Sequence, residues 1–166
     1  MTEKLLSGTW RVDPDRSAVG WSVKHLGVST IHGTFETFEG VLADGRATGT
    51  VAAASVHTDD EQRDRFVRSD EFLDAGAHPQ LAFTGRLAAG DPQELEGELT
   101  IRGTTLALAL RVERAAADAG AAELRLAGTV RRRAFGLRFH QAMGAADRSV
   151  GDEVALELAL TLVRED

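Results

Sequence analysis

Histidines are the side chains in this sequence best suited to acid–base or metal chemistry at neutral pH. Five are present, and the absence of cysteine excludes disulfides, thiolate nucleophiles and thiolate metal sites. His25 and His32 flank one short connection, whereas His57, His78 and His140 are scattered along the chain. A metal centre needs at least three converging ligands. We therefore expect no metal and no cofactor, and we regard His25 as the only good candidate for an acid or base in a pocket.

Three further charged residues could matter, because an arginine on an apolar face is costly to bury unless it is paired. Arg63 and Asp64 lie on a predicted helix, and Arg132 follows an otherwise apolar strand face. Two hypotheses follow from this pattern. Either these residues form a structural ion pair that fastens the helix to the sheet, or Arg132 or Arg63 binds the phosphate or carboxylate head group of a ligand.

The stretch from Ala18 to Leu42 is the element that would position His25. Its first arm alternates strictly, as a strand with one buried face does, and the apolar face carries Val19, Trp21, Val23 and His25. Gly27 suits a turn that needs a positive φ. The second arm continues with Ile31, Gly33 and Phe35, and Phe38 then falls out of phase. This predicts either a bulge near Glu36–Thr37 or a Phe38 that points to the opposite face.

The rest of the chain reads as further strands with one helical interruption. A third long strand is predicted from Ala47 to His57. The spacing of Thr58 and Glu61 suggests a capping box for a helix from Asp60 to Ser69. Its thin apolar stripe favours a helix that lies over one end of a barrel. Period-two apolar faces then follow at Leu81–Phe83, Leu95–Ile101, Leu106–Val112, Leu124–Val130 and Val154–Leu162.

About eight strands at hairpin-like spacing predict an all-β fold, an antiparallel up-and-down β-barrel with one helix between the early and late strands. We expect residues 1–166 to form a single domain. A barrel of about this size is either filled by side chains or holds one small ligand. Glycines at inward positions, among them Gly33, Gly97 and Gly128, favour the hollow alternative. The side chains expected to line the cavity are Trp21, Val23, Phe35, Leu81, Phe83, Leu99, Ile101, Leu108, Leu126, Leu156 and Leu158.

Composition excludes several classes of function. The net charge is −7 and the isoelectric point is about 5.2, which argues against nucleic-acid binding and against electrostatic attraction of the whole chain to anionic lipid. The N-terminal residues contain no apolar core of a secretion signal, and no run approaches the length of a membrane span. We therefore expect a soluble, cytoplasmic protein with no membrane anchor.

The order of short motifs resembles the YceI-like family across nearly the whole chain. The motifs that carry the resemblance are Trp10–Pro14, Ser17, Trp21–Gly27, Gly33–Phe35, Phe38–Gly40, Thr58, Arg63–Asp64, Arg68–Ser69, Phe72–Asp74, His78–Pro79, Phe83, Gly97–Gly103, Arg132, Phe135–Leu137 and Val150–Val154. The resemblance implies a lipocalin-like barrel that binds a polyisoprenoid or a related lipid, and it is compatible with a homodimer.

The chain also departs from the usual family pattern at three places. Arg16 stands where the family usually has histidine, Arg65-Phe66 replaces a histidine–leucine pair, and Thr105-Leu106 replaces a threonine–lysine pair. These changes leave the fold inference intact. They affect the polar rim, and hence the head group that a ligand would carry.

Three functional hypotheses follow. The first, which we favour, is non-enzymatic binding, for transport or storage, of a long apolar molecule such as a polyisoprenoid or fatty-acid derivative, with His25 and Arg132 near its polar end. The second is a small isomerase or cyclase that uses His25 inside the barrel, although the sequence lacks a Gly-x-Ser-x-Gly motif and a phosphate-binding loop. The third is a stress-related interaction module with a solid core.

Overall fold

The computed structural model describes residues 2–90, 93–139 and 148–165. These residues include the α-helix α1 (Glu61–Arg68) and an antiparallel sheet of eleven strands. The strands are β1 (Thr9–Val12), β2 (Ala18–His25), β3 (Ser29–Phe35), β4 (Phe38–Ala43), β5 (Arg46–Ala52), β6 (Val56–His57), β7 (Gln80–Ala88), β8 (Glu94–Ile101), β9 (Thr104–Ala117), β10 (Ala121–Arg131) and β11 (Val150–Glu165).

The sheet closes into a barrel because β1 pairs on both sides. Thr9 lies opposite Ala43 in β4 and opposite Glu165 in β11. The closed ring runs β1-β4-β5-β7-β8-β9-β10-β11 and contains eight strands, while β2, β3 and β6 extend its wall at one end. The predicted antiparallel barrel with one inserted helix is confirmed. Closure leaves no free edge among these eight strands.

The hairpin β2–β3 has the predicted alternation, but its second arm does not continue as one strand to Phe38. The chain breaks its strand geometry at Glu36 and Thr37, between β3 and β4. Phe35 and Phe38 both line the interior. β3 pairs with β2 and β6, whereas β4 pairs with β1 and β5, so this break between two strands, and not a bulge within one ladder, lets Phe38 face inward.

Two local predictions were wrong. The third strand is not continuous to His57, because a 3₁₀ turn at Ala53–Ser55 separates β5 from β6. The helix is capped by Asp60, whose side chain accepts a hydrogen bond from the amide of Arg63, rather than by Thr58. Thr58 is instead buried and bonded to Asp64. Thr58 and Asp60 are both residue types that cap helices, so the sequence alone does not distinguish them. The buried contact of Thr58 with Asp64 does.

The sequence suggested that Arg132 continues the face of a strand, but it lies outside the strand. β10 ends at Arg131, and Arg132–Phe135 forms a 3₁₀ turn that ends at Gly136 with φ 78°. The side chain nevertheless turns inward and lines the barrel interior. Arg131, one residue earlier at the end of β10, is exposed, whereas Arg132 is buried.

Two apolar clusters occupy the two ends of the barrel. Leu5 and Trp10 are fully buried in the larger cluster, and the Trp10 indole N–H donates to the carbonyls of Lys4 and Ser7. Leu5 belongs to an N-terminal 3₁₀ turn (Thr2–Leu6), which closes this end of the barrel. The smaller cluster, at the other end, contains Ala53, Leu73, Ile101, Phe135 and Leu137. Among the described residues, no helix has the length and apolar character needed to cross a bilayer.

Candidate binding cavity

A cavity of about 1090 Å³ runs through the barrel between the two apolar clusters. Pockets that hold drug-sized molecules usually measure about 300–1,000 Å³. Its wall is mainly apolar, and inward residues along β11, including Leu156, Leu158 and Leu160, are only half-buried although they face the interior. Their remaining exposure is to empty space inside the barrel. The interior is therefore hollow rather than filled by side chains.

Every residue expected to line a cavity does lie on this wall. The set comprises Trp21, Val23, His25, Phe35, Leu81, Phe83, Leu99, Ile101, Leu108, Leu126, Arg132, Leu156 and Leu158. All of them except Arg132 come from strands, and the period-two alternation is what turns these strand residues inward. Contact of these side chains with a ligand stays a prediction.

The glycines that suggested open space serve a different purpose. A Cβ at Gly33 would lie 2.2 Å from Cζ2 of Trp21, and a Cβ at Gly97 would lie 2.0 Å from the carbonyl oxygen of Thr84. At Gly128 it would meet the side chain of Leu110 at 2.7 Å. These glycines allow neighbouring protein atoms to approach closely. The cavity volume comes from the barrel diameter instead.

An aromatic cluster at the helix end of the cavity was missed by sequence reasoning. Phe66 on α1 stacks on Phe139 with ring centroids 5.4 Å apart, and Phe72 lies 5.2 Å from Phe139. All of them line the cavity. The apolar stripe of α1 contains Phe66, and Phe72 follows the helix, whereas Phe139 lies in an irregular segment that carries no periodic signal. This cluster forms an apolar cover over the mouth.

The helix is fastened to the barrel by polar contacts at its start. The buried carboxylate of Asp64 accepts hydrogen bonds from the amide of Thr58 (2.8 Å) and from its hydroxyl (2.5 Å). The Arg63 guanidinium donates to the hydroxyl and the carbonyl of Thr58, both at 2.9 Å. Arg63 and Asp64 thus act together on Thr58, which follows β6. The hypothesis of a structural role is supported for this pair, through a hydroxyl rather than through a direct ion pair.

A second fastening joins the turn after α1 to the turn between β8 and β9. Arg102 donates to the carbonyl of Phe72 at 2.8 Å and to that of Asp70 at 2.9 Å. The backbone of Arg102 is in the left-handed conformation, with φ 48°. The aromatic cover is therefore connected to the rim at both ends of the helical segment.

Arg132 connects the end of β10 to the beginning of β11. Its guanidinium donates to the main-chain carbonyls of Gly151 (2.9 Å), Val150 (2.8 Å) and Leu137 (2.9 Å), and it lies over the Phe139 ring at 5.2 Å from the centroid. Only 2% of the residue is exposed. These contacts give Arg132 a structural role, and binding of a ligand head group stays a prediction.

The histidines do not converge. His25 is half-buried on the cavity wall, His32 is exposed, and His78 approaches Gly103 on the rim. His57 lies outside the cavity, with Nε2 2.8 Å from Asp59, and that hydrogen bond raises the pKa of the imidazole. His140 lies outside the described residues. Within the described ranges, no three His, Asp or Glu side chains are grouped as metal ligands would be.

Comparison with known proteins adds two findings. A family model described as "YceI-like domain" matches residues 10–162. Protein YceI of Escherichia coli O157:H7 is 29% identical over 119 residues, which is 65% of this chain and 62% of the relative. The aligned part thus spans about three-fifths of that curated relative.

Solved structures share the fold at low identity. BcnA of Burkholderia cenocepacia superposes with a TM-score of 0.75 at 23% identity, over 90% of this chain and 98% of that chain. A domain from Saccharophagus degradans, described as a polyisoprenoid binding domain implicated in plant cell wall breakdown, has a TM-score of 0.75 at 15% identity, over 94% of this chain and 98% of that chain. At these identities the likeness concerns the fold.

Proposed function

The chain belongs to the YceI-like family, and from this premise we propose that its barrel binds one long apolar molecule without transforming it chemically. The observation that carries the proposal is the hollow apolar interior of about 1090 Å³. A chain of ten methylenes buried there would contribute roughly 8 kcal/mol before ordering costs, at ~0.8 kcal/mol per CH₂. No ionic contact is needed for such an affinity.

The ligand class that fits this interior is a polyisoprenoid or a fatty-acid derivative, held for transport or storage. The S. degradans domain with the same fold is described as polyisoprenoid-binding, which supports this choice. The apolar tail would lie toward Leu42 and Leu162 in the closed end. The polar end would lie at the mouth, where His25, Arg63 and Arg132 line the cavity.

In this function the wall residues contact the ligand and no residue acts as a catalyst. An enzyme would need a positioned acid or base, and His25 is the one candidate that the sequence offered. We expect the variant His25→Ala to retain most of the binding of an apolar probe, since the imidazole is a small part of the wall. Loss of a measured turnover in this variant would favour the enzyme hypothesis instead.

Two wider expectations accompany the proposal. Pairing of β1 with β11 joins residues near both ends of the described chain, which supports a single domain over residues 1–166. Limited proteolysis that releases a stable smaller fragment would contradict this. A location in the cytoplasm stays a prediction from the sequence, and cell fractionation tests it.

The decisive experiment is mass spectrometry of an organic extract from gently purified protein, with native mass spectrometry alongside. A stoichiometric lipid-like species supports the proposal and identifies the ligand class. A fluorescent apolar probe tests binding in the absence of a co-purified ligand. Failure of the protein to show either a bound species or saturable probe binding contradicts the proposal.

Matched variants test whether the cavity is the site. Leu99 packs against both apolar clusters and therefore lies midway along the interior, whereas its neighbour Glu98 is exposed on the outer surface. Leu99→Trp should occlude the cavity and reduce probe affinity at least tenfold, about 1.4 kcal/mol. Glu98→Trp adds the same side chain outside the barrel and should leave affinity unchanged.

A further inference from the structure

The turn between β2 and β3 exposes two large apolar side chains. Leu26 is 67% exposed and Val28 is 84% exposed, the highest values among the large hydrophobic residues that the structure describes. Single exposed apolar residues are common on protein surfaces. Here two of them flank one glycine at the tip of a projecting hairpin, so they form one apolar point, which we call the hairpin tip (Leu26–Val28).

The backbone conformation at Leu26 is unfavourable for a leucine. Leu26 has φ 56° and Gly27 has φ 72°, and the amide of Val28 donates to the carbonyl of His25 at 3.3 Å. Positive φ at both central positions defines a type I′ turn, in which asparagine followed by glycine is preferred. A leucine is therefore less favourable than asparagine both for the turn and for contact with water. Such a local conflict points to a functional role.

The hairpin tip lies beside the mouth of the cavity. His25, which directly precedes the tip, and Ile31, three residues after it, line the cavity, as does Val150 on the adjacent strand. The amide of Leu26 donates to the carbonyl of Ser149 at 2.7 Å, which ties the tip to the start of β11. The start of β11 connects this turn to the helix end of the barrel, because Arg132 donates to the Val150 carbonyl and lies over the Phe139 ring that stacks on Phe66. A molecule that leaves the cavity at this end passes close to Leu26 and Val28.

The β2–β3 hairpin itself carries charge opposite in sign to that of the whole chain. From Arg16 to Phe35 the sequence contains no carboxylate, although the chain has 26 of them and a net charge of −7. Lys24 and His32 are exposed on the hairpin, and exposed Arg148 immediately precedes Ser149. The net charge argues against attraction of the whole chain to anionic lipid. The hairpin presents a local surface that such lipid would attract.

We propose that the hairpin tip docks reversibly on an anionic lipid bilayer, with Leu26 and Val28 inserted among the head groups and Lys24 and Arg148 against lipid phosphates. Docking would place the cavity mouth against the source of its apolar ligand. That consequence rests on the proposed function, whereas the docking itself does not.

A second copy of this chain fits the hairpin tip less well. A two-fold contact would bring the same patch from both copies together, so Lys24 and Arg148 of one would face those of the other. Two side chains also offer far less area than the roughly 1,200 Å² of a stable interface. A bilayer requires no such area of complementary shape.

The test is flotation of the purified protein with vesicles of phosphatidylcholine alone and of phosphatidylcholine mixed with phosphatidylglycerol. We expect binding to the mixed vesicles that weakens with added salt. The double variant Leu26→Asn/Val28→Thr should bind at least tenfold more weakly, about 1.4 kcal/mol. Its turn gains the preferred asparagine–glycine pair, so it should fold, and thermal unfolding checks this.

Val163→Thr is the matched control. Val163 is 39% exposed in β11, and its partner Arg11 lies in β1 at the closed end of the barrel. This variant should bind vesicles like the unaltered protein. Absence of vesicle binding, or equal binding by the double variant, overturns the proposal. So does a change of oligomeric state in the double variant by native mass spectrometry, which would assign the tip to a second copy.

Probe binding separates this proposal from the function of the cavity. The double variant should bind a fluorescent apolar probe in the absence of vesicles as well as the unaltered protein does. If probe binding fails in both proteins while vesicle binding follows the expected pattern, the docking surface stands and the proposed ligand function fails.

Discussion

The indole ring of Trp21 lies over Gly33, its partner on the neighbouring strand. A Cβ at residue 33 would be 2.2 Å from Cζ2 and 2.3 Å from Cε2 of the ring. The buried indole N–H has no hydrogen-bond partner among the described residues. Glycine thus allows the largest side chain of the hairpin to lie against the wall, an aromatic–glycine pairing that pins strand register.

This relationship predicts the effect of Gly33→Ala. The added methyl group must displace the Trp21 ring toward the cavity or force the two strands apart. We expect a loss of stability of about 1 to 3 kcal/mol, as for overpacking in a core. Chemical denaturation measures it, and probe affinity should fall as well because the ring would intrude on the cavity.

Gly120→Ala is the matched control for that variant. A Cβ at Gly120 would meet no atom within 4 Å, and its φ is not in the left-handed region. Stability should change by less than about 0.5 kcal/mol. A Gly33→Ala variant as stable as this control would contradict the close contact with Trp21.

Arg132 should be needed for stability. The variant Arg132→Met keeps much of the volume but leaves three main-chain carbonyls without their donor. We expect a loss of about 3 kcal/mol, since hydrogen bonds from a buried charged group are strong and their loss is costly. Arg132→Lys should also destabilise, because an ammonium cannot reproduce the planar fork.

The neighbouring Arg131 provides the comparison. Its side chain is 67% exposed and lies near Asp152 and Glu153. Exposed ion pairs contribute little, so Arg131→Met should cost less than about 1 kcal/mol. Equal losses of stability in Arg131→Met and Arg132→Met would contradict a structural role for the buried Arg132 side chain. Probes with anionic and neutral ends then test whether Arg132 also contacts a head group.

Thr58→Val should loosen the start of α1. The change leaves the buried carboxylate of Asp64 without its hydroxyl donor while the amide donor remains. The expected cost is about 1 to 3 kcal/mol. Because α1 covers the mouth, hydrogen exchange in residues 61–73 should increase more than exchange in β8 and β9. Uniform acceleration throughout the barrel would contradict a local fastening role.

His57 should give stability a dependence on pH. The hydrogen bond with Asp59, with smaller contributions from the nearby carboxylates of Glu36 and Asp64, raises the pKa of the imidazole above 6.5. Because the pKa of His57 is higher in the folded state than in the unfolded state, its protonation stabilises the fold fully at pH values below the unfolded-state pKa. That contribution is lost as pH rises through the folded-state pKa.

NMR titration of the imidazole measures this pKa directly. Asp59→Asn removes the main cause and should lower the pKa toward 6.5. In His57→Gln, the fall in stability as the pH rises through the raised pKa of His57 should be absent. A His57 pKa at or below 6.5 in the unaltered protein would contradict the geometry.

The sequence alone determined which side chains face inward. Period-two alternation holds along a strand whatever its partners are, so Trp21, Leu81, Leu99 and Leu158 could be assigned to the interior before any pairing was known. The helix around Arg63 was predicted for the same reason, since caps and charge gradients act within a few residues. Counting alternating segments and turns predicted about eight strands; the described sheet has eleven, eight of which close the ring.

Tertiary structure decided everything that depends on neighbours distant in sequence. The closure of Thr9 on Glu165, the contact of Phe66 with Phe139 and the carbonyl partners of Arg132 join segments whose distance along the chain carries no local signal. The hollow interior is also a property of the closed ring, because strand number and stagger set its diameter. Composition could not distinguish a hollow barrel from a filled one, since both require the same alternating apolar residues.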